Sequence, residues 1–484
     1  VAEYIWDPTD GLAYPDFRKP WYGWLIGGLG QTFGYFAAAQ TVAKLAMVAM
    51  VFSAAMVGRA LANRWAGLAS SFVVPLMPLV MDGALWVNHY PLLGATVGLS
   101  VGAGTMLIRS HSFIWPLVAG VSAGAAYALD LRGAIAIPMV AALVACASLG
   151  CNWKITGKRV TIIALGIGSV LAHDAWLQRA FDVPQLPFQQ QLEVQRKGTL
   201  EQIGQGVFDN QALQQACAGQ QVGPLDRLAI ESACGRELAQ ASRQRLSSMK
   251  IIPQDNFIWW IPILLIPLGF RLLHLQRSMA TAIVFLAPIA SLWVGMRWVT
   301  YFDRYVIPFA VPLAALVPVG LAQVASLLLY RFRERSTLYG AIAAACSIGV
   351  SLTVWPGWTA RALDAPELAR SSEYHAGVFA GWARSTLDSS DSIIDCAGLA
   401  VDSLMLPTKI DYVRFPPGDP ECNLRIQETQ STGNTVFLIT MHRDIPPQYG
   451  ADYLAFNPTA IEDLGWVPVK HGLKVDGFRL WQRQ

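Results

Sequence analysis

The stretch MRWVTYFDRYVIPFAVPLAALVP, from Met296 to Pro318, sets Arg297, Asp303 and Arg304 between two long apolar runs. A guanidinium can hold a phosphate through two parallel hydrogen bonds, and a carboxylate can take a proton from a hydroxyl. The same residue types recur at the ends of other apolar runs. Asp82, Asn88 and His89 lie in and around MDGALWVNHYP, Asp130 and Arg132 in ALDLRGA, and His173 and Asp174 in LAHDAW. Glu3, Asp7, Asp10, Asp16, Arg18 and Lys19 precede the first long apolar helix, and Lys44 lies about one turn inside it. Taken singly, each of these is simply an interfacial residue or half of a local ion pair. Lys44 is harder to dismiss, because a lysine inside a span either snorkels to the surface or faces a polar cavity. Taken together, acids and arginines at a membrane surface suit a lipid-linked phosphate substrate.

The elements that must position these groups are membrane helices. The chain is 54% hydrophobic and 14% charged, against about 25% charged in soluble proteins. A net charge of +3 is too small to argue for nucleic acid. A membrane helix needs about 20 mostly apolar residues. The pattern predicts such spans at 41–62, 66–86, 91–109, 113–129, 133–151, 160–178, 257–273, 278–298, 305–330 and 337–358. Segment 21–39, WYGWLIGGLGQTFGYFAAA, is aromatic-rich and broken by glycine, and reads as an interfacial or re-entrant helix.

Lysine and arginine in short loops orient the bundle. Arg59, Arg64, Arg109, Lys154, Lys158, Arg159, Arg271, Arg277, Arg331, Arg333 and Arg335 fall in one set of alternate loops, whereas the other short loops hold Arg132, Arg297 and Arg304. The first set is therefore expected in the cytoplasm. That divides the chain into an extracytoplasmic first loop and interfacial helix (1–40), a first membrane part (41–178), an extracytoplasmic helical loop (179–256), a second membrane part (257–358) and an extracytoplasmic tail (359–484). With Val1 outside, a further membrane helix is expected before it. The loop has helical periodicity in LDRLAIESACGRELAQASRQRL, and the tail has strand-like runs in SIIDCA, TVFLITM and WVPVKHGLKVDGFRLWQ, which predict a small α/β domain. Cys217 and Cys234 lie in the loop, and Cys396 and Cys422 in the tail. In an oxidising compartment, each pair is expected to form a disulfide.

Several stretches resemble the GT-C superfamily of polytopic glycosyltransferases, near its protein-mannosyltransferase and aminoarabinose-transferase branch. FRKPWYGWLIGGLGQTFG (17–34) is similar to a Pro-aromatic juxtamembrane segment, and AKLAMVAMVFSAAMVGRALANRWAG (43–67) to the helix that follows it. PLVAGVSAGAAYALDLRGAIAIP (116–138) resembles a Gly-rich helical hairpin with a polar tip, and DRYVIPFAVPLAAL (303–316) resembles the RY-x-x-P start of a late helix. The resemblance covers nearly the whole chain in organisation. It implies about ten membrane helices, an interfacial helix and an outer α/β domain, in a multi-pass protein of a bacterial inner membrane.

What the resemblance implies for chemistry is inverting transfer of a sugar from a polyprenyl-phosphate donor to a lipid, protein or glycan acceptor. The family's catalytic base is an acid in the first outer loop. Here Asp10, Asp7 and Glu3 are the visible acids, or the base precedes Val1. Arg304, Arg297 and Lys44 would hold the donor phosphate, with His89, Asp130, Arg132 and Asp174 as further cavity residues. No His/Asp/Glu spacing matches a dedicated metal motif, although the acids are compatible with a divalent ion. The alternative is a non-catalytic GT-C-like subunit that binds lipid within a membrane complex. A transporter fits less well, since no repeat relates the two halves and the polar residues gather at one face.

Overall fold

Long apolar runs become helices here, and some continue through internal proline, as at Pro288, Pro312 and Pro318. The computed structural model describes residues 20–33, 35–76, 80, 89–149, 151–180, 187–204, 210–220, 223, 225, 227–248, 275–299, 303–328, 341–342, 344–346, 348–349, 382–383, 385–388, 391–396, 411–415, 420–429, 435–441, 457–469 and 478–483. The chain divides into two units, one of Asp10–Leu25 with Gln40–Leu363, the other of Val1–Thr9, Ile26–Ala39 and Asp364–Gln484.

The first helices are α1 (Trp21–Phe33), α2 (Tyr35–Leu61) and α3 (Arg64–Val73). The start of α2 lies upstream of the predicted 41, because Tyr35–Gln40 carries no glycine or proline and is rich in alanine. Lys44 therefore sits well inside α2 rather than on its first turn. Asn63 caps α3, its side chain accepting from the amides of Trp65 at 3.0 Å and Ala66 at 2.9 Å. The predicted span 66–86 is not one continuous α-helix. After Val73 the chain tightens into a 3₁₀ turn, Val74–Leu76, where Pro75 brings no amide to the helical ladder.

Helices α4 (Tyr90–Met106), α5 (Ile114–Leu129), α6 (Ala136–Ser148), α7 (Trp153–Ala180), α12 (Leu275–Trp298) and α13 (Ile307–Leu328) complete the described bundle. Ala37–Leu61, Leu131–Ser148, Trp153–Ala180 and Leu275–Trp298 are long and apolar enough to cross a membrane, and Ile114–Leu129 and Ile307–Gln323 are shorter apolar helices. Leu45, Val48, Phe52 and Leu165 point outward from the bundle, as lipid-facing side chains do. The chain is a membrane protein on this ground. Predicted span 257–273 lies outside the described residues, as does most of 337–358.

Inside the bundle, Met50, Leu93, Leu107, Leu143, Ile307 and Leu316 belong to one buried core. Helices α5 and α7 approach closely through glycine. A Cβ on Gly120 would stand 2.5 Å from the carbonyl oxygen of Ile163, so a larger residue there would force the backbones apart.

Arginines close one end of the bundle. Arg109 donates to the Ala60 and Ala62 carbonyls at the end of α2. Arg159 is buried and donates to Ala147 at 2.9 Å and Leu107 at 3.0 Å, at the ends of α6 and α4. Each guanidinium thus meets carbonyls that a helix C-terminus leaves unpaired. Arg59 and Arg277 lie within electrostatic reach of Arg109. Of the loop cations grouped by the sequence, Arg59, Arg109, Arg159 and Arg277 are therefore neighbours in space.

At the opposite end lie the loop helices α8 (Phe188–Gly204), α9 (Gln211–Cys217), α10 (Arg227–Glu231) and α11 (Ala233–Ser248). Cys217 and Cys234 form a disulfide, packed with Ile203, Leu213 and Leu238 in a small core. Arg196 anchors these helices to the end of α12. It is 2% exposed. Its guanidinium donates to the Trp298 carbonyl at 2.7 Å and to Cys234 Sγ at 3.2 Å, and lies over the Trp298 ring. Burial pushes its pKa below the ordinary arginine value.

The other unit carries a five-stranded sheet in the order β2-β1-β3-β5-β4, built from β1 (Ser392–Asp395), β2 (Asp411–Arg414), β3 (Val436–Met441), β4 (Val467–Pro468) and β5 (Phe478–Arg483). β1 runs parallel to β2 and β3, and β5 runs antiparallel to β3 and β4. Helices α14 (Pro420–Glu428) and α15 (Pro458–Asp463) contribute Ile426 and Ile461 to its core, beside Trp466 and Trp481. The disulfide Cys396–Cys422 ties the end of β1 to α14, with Cα atoms 5.9 Å apart, inside the usual range. This is the small α/β domain expected of the tail.

Candidate functional site

The end of the bundle away from Arg109 and Arg159 gathers four of its described polar groups into one cluster. Helix α5 stops at Asp130, whose backbone is extended, and the Asp130 carboxylate caps the 3₁₀ turn Leu131–Ile135 by accepting from the Arg132 amide at 2.8 Å. Gly133 is required inside that turn, because a Cβ there would stand 2.0 Å from the Ala126 carbonyl oxygen. The tight turn folds the Arg132 side chain back onto Asp130. Its Nη1 donates to both carboxylate oxygens, at 3.1 and 3.0 Å. The face of the same guanidinium lies 3.7 Å from the centre of the Tyr305 ring, a cation–π arrangement.

His89 immediately precedes α4 and reaches the same carboxylate, with Nε2 3.3 Å from Asp130 Oδ2. Its ring is flanked by Tyr90 at 4.1 Å and Tyr22 at 6.1 Å, and Tyr90 in turn stands 5.3 Å from Tyr305. Both ion-pair partners are well shielded, Arg132 at 13% and Asp130 at 11% side-chain exposure. Burial alone would raise the Asp130 pKa. Arg132, the bond and charge of His89, and the Arg132 amide outweigh it and hold the carboxyl well below the usual carboxylate range. Asp130 is therefore ionised at any physiological pH.

A second group lies beside the first. The indole of Trp21 donates to His173 Nδ1 at 3.2 Å, and Trp24 and Trp176 flank the imidazole. Asp174 is buried and accepts from Gln178 at 2.8 Å. Tyr127, one turn before Asp130 on α5, hydrogen-bonds to Gln191 of α8 and feels the Asp174 charge. Adjacent residues of α1 thus reach the two groups, Trp21 to His173 and Tyr22 to His89.

The structure places the sequence candidates unequally. His89, Asp130 and Arg132 come together, and Asp174 lies in the neighbouring group. Arg297 instead makes a long hydrogen bond, 3.5 Å, to the Ile230 carbonyl and stacks on Trp293, which commits it to the α10 contact. Lys44 is exposed on the α2 surface that also carries Leu45, Val48 and Phe52. Snorkelling from a lipid-facing surface is the simpler account of it. The backbone of Asp303–Val306 forms a 3₁₀ turn that puts Arg304 next to Tyr305, while the Asp303 and Arg304 side chains lie outside the described residues. So do Glu3, Asp7, Asp10, Asp82 and Asn88. Sequence reasoning missed Tyr305 and Arg196. The tyrosine had a signal in its position beside Arg304, and the arginine had none. Among the described residues, no group of three or more His, Cys, Asp or Glu could hold a metal ion.

Chemically, the cluster offers a guanidinium and a carboxylate that cancel in charge, with an imidazole beside them, at one end of an apolar bundle. Polar groups gathered at a bundle end suit the headgroup end of a lipid.

No protein-family model matches the chain, and no curated protein matches it. Among solved structures, the chain is similar to ArnT from Cupriavidus metallidurans in the apo state, at 12% identity and TM-score 0.52, over 99% of this chain and 91% of that one. It is also similar to ArnT from Cupriavidus metallidurans bound to undecaprenyl phosphate, at 11% identity and TM-score 0.54, over the same shares of the two chains. The apo oligosaccharyltransferase of Archaeoglobus fulgidus aligns at 12% identity and TM-score 0.48, over 89% of this chain and 62% of that one. At such identities the likeness is one of fold. The chain has a GT-C-like fold along nearly its whole length.

Proposed function

We propose that this chain is a membrane glycosyltransferase that moves a sugar from a polyprenyl-phosphate donor to an acceptor hydroxyl on the extracytoplasmic face. The observation that carries the reading is the Arg132–Asp130–His89 cluster, stacked on Tyr305 beside Arg304, at the mouth of a GT-C-like bundle. The likeness to a protein solved with undecaprenyl phosphate supports the donor class. In this reading Arg304 holds the donor phosphate as charge develops on its leaving oxygen. Arg132 is paired with Asp130 and fixes the shape of the cluster rather than adding net charge to it. The reaction needs a group to take the acceptor proton, and the family resemblance assigns that role to an acid among Glu3, Asp7 and Asp10.

Undecaprenyl phosphate binding by the purified full-length chain, followed by native mass spectrometry, tests this reading. The native chain should retain the lipid. Loss of a charge-assisted phosphate contact costs about 1.5–3 kcal/mol, so Arg304→Ala should weaken binding roughly ten- to a hundredfold. Arg304→Lys should restore little, because an ammonium cannot make the planar two-bond contact. A native chain that prefers neutral lipids over undecaprenyl phosphate would count against a phosphate-linked donor.

Sidedness belongs to the same proposal. The clustered arginines mark the cytoplasmic end, and the Cys217–Cys234 disulfide at the other end suits an oxidising compartment. Cys146 and Cys151, at the arginine end, are unbridged. A cysteine introduced at Ser110, in a cysteine-free background, should resist a membrane-impermeant maleimide in intact cells, while one at Gln220 reacts. The reverse pattern would put the His89 cluster in the cytoplasm and overturn the extracytoplasmic assignment.

A further inference from the structure

We propose that His173, with Trp21, Trp24 and Trp176 around it, forms the subsite that holds the sugar ring of the lipid-linked donor. The proposal rests on the glycosyltransferase reading above and deepens it, adding a place for the sugar beside the place for the phosphate. An indole N–H can only donate a hydrogen bond. Trp21 Nε1 lies 3.2 Å from His173 Nδ1. Nδ1 must therefore accept, and the neutral imidazole carries its proton on Nε2. Among the described residues, no hydrogen bond reaches that Nε2. The ring thus presents one N–H donor whose direction Trp21 fixes.

Two pairs of residues at helical i,i+3 spacing build the walls. Trp21 and Trp24 share one side of α1, and His173 and Trp176 share one side of α7. The Trp24 ring meets the imidazole in a T-shaped contact with centroids 4.7 Å apart, and Trp176 stacks on it at 5.7 Å. Trp176 is 58% exposed, so much of its indole stays open to a ligand.

A sugar ring has a face of C–H groups and a rim of hydroxyl oxygens. The face packs on an aromatic ring, and the rim accepts from an N–H. A bare acyl chain would leave the Nε2–H without an acceptor. Placement points to the sugar of the donor. Trp21 and Tyr22 are consecutive on α1, and one reaches His173 while the other stands 6.1 Å from His89. Tyr127, within one turn of Asp130 on α5, feels the charge of Asp174, the residue after His173. Helices α1 and α5 therefore hold the two groups side by side, and in the donor the sugar is bonded directly to its phosphate.

The experiment offers the full-length chain undecaprenyl phosphate and a panel of undecaprenyl-phosphate-linked pentoses and hexoses, with affinities read by native mass spectrometry. The native chain should bind at least one sugar-linked lipid more tightly than the bare one. Trp176→Ala should cut that preference roughly three- to tenfold, the worth of one aromatic contact. Trp176→Phe should keep most of it. His173→Phe keeps a ring but loses the N–H, and should cut the preference roughly two- to tenfold. Trp176→Ala and His173→Phe should bind undecaprenyl phosphate itself within about twofold of the native chain, because only the contacts to the sugar are removed.

Independently of affinity, hydroxyl-radical oxidation of Trp176, detected by peptide mass spectrometry, should fall when the preferred sugar-linked lipid is added and not when undecaprenyl phosphate is added. An unchanged preference in both Trp176→Ala and His173→Phe overturns the proposal, and the tryptophans then only mark the membrane interface. Equal protection of Trp176 by the bare and the sugar-linked lipid overturns it as well. Equal weakening of both lipids in the two variants would show a structural group rather than a sugar subsite. Failure of the native chain to bind undecaprenyl phosphate would overturn the functional reading and this assignment with it, whereas intact binding with no preference for any sugar-linked form overturns the assignment alone.

Discussion

Asp130→Ala is expected to destabilise the bundle and, on the proposed glycosyltransferase reading, to abolish sugar transfer with it. The substitution strips three groups at once. The Arg132 guanidinium loses both carboxylate oxygens, His89 loses its partner, and the turn after α5 loses its cap. Removing one half of a shielded ion pair costs about 3–5 kcal/mol, because the remaining charge is left without compensation. The lost cap adds about 1 kcal/mol. Thermal unfolding in detergent should show a clear drop in midpoint against the native chain. Adding Arg132→Met should recover part of the loss, since no charge is then stranded. Acidification is a poor substitute for the mutation. The folded-state pKa of Asp130 is depressed, so its contribution is complete above the ordinary aspartate value of about 3.9 and is lost only as pH falls well below it. An unchanged midpoint in Asp130→Ala would mean that the pair contributes nothing net, and the cluster would lose its claim to a defined geometry.

Arg196→Ala should release the loop helices from the membrane bundle. Arg196 is the buried link between α8, the Cys217–Cys234 disulfide and the last turn of α12. Its removal leaves the Trp298 carbonyl without that donor and opens a void against the Trp298 ring, a local cost of about 2–4 kcal/mol. Limited proteolysis should then cut within 187–248 at protease concentrations the native chain resists, and the fragments from a cut between Cys217 and Cys234 should stay joined until reduction. Arg196→Lys should be intermediate, because a single ammonium cannot span the carbonyl and the sulfur as the guanidinium does. Native resistance in Arg196→Ala would show that the apolar packing of α11 on α12 suffices. The site would feel the release through Trp298, which lies seven residues before Tyr305 in the chain.

Much of the architecture was legible in the sequence, because the responsible forces act on local composition. An apolar run such as 278–298 has to be a helix in a membrane, since no water is present to satisfy its backbone. Arg59, Arg109, Arg159 and Arg277 had to fall at one end once the runs were taken as antiparallel spans. Cys396 and Cys422 were the tail's two cysteines, which left one pairing within the domain. Boundaries were less legible. A 3₁₀ turn at Val74–Leu76 interrupts the predicted span 66–86 at Pro75, and the alanines before Lys44 extended α2 backward.

The cluster needed the tertiary structure. His89, Asp130, Arg132 and Tyr305 come from distant stretches, and no periodicity relates position 89 to 130 or 132 to 305. Their meeting depends on where α5 ends, on the close approach that Gly133 permits and on how α13 packs beside α4. Arg297, Lys44 and Arg196 make the same point from the other side. All three are cations near an apolar run or an amphipathic helix. One bonds to a loop carbonyl, one points out among exposed apolar side chains, and one is buried on a helix end. The sequence alone determined that this chain lives in a membrane, which end of its helices is basic and which cysteines pair, because solvent transfer and chain-local arithmetic decide those. Which cation serves a site and which serves the scaffold was decided by packing, because a guanidinium is worth what its neighbours leave for it to bind.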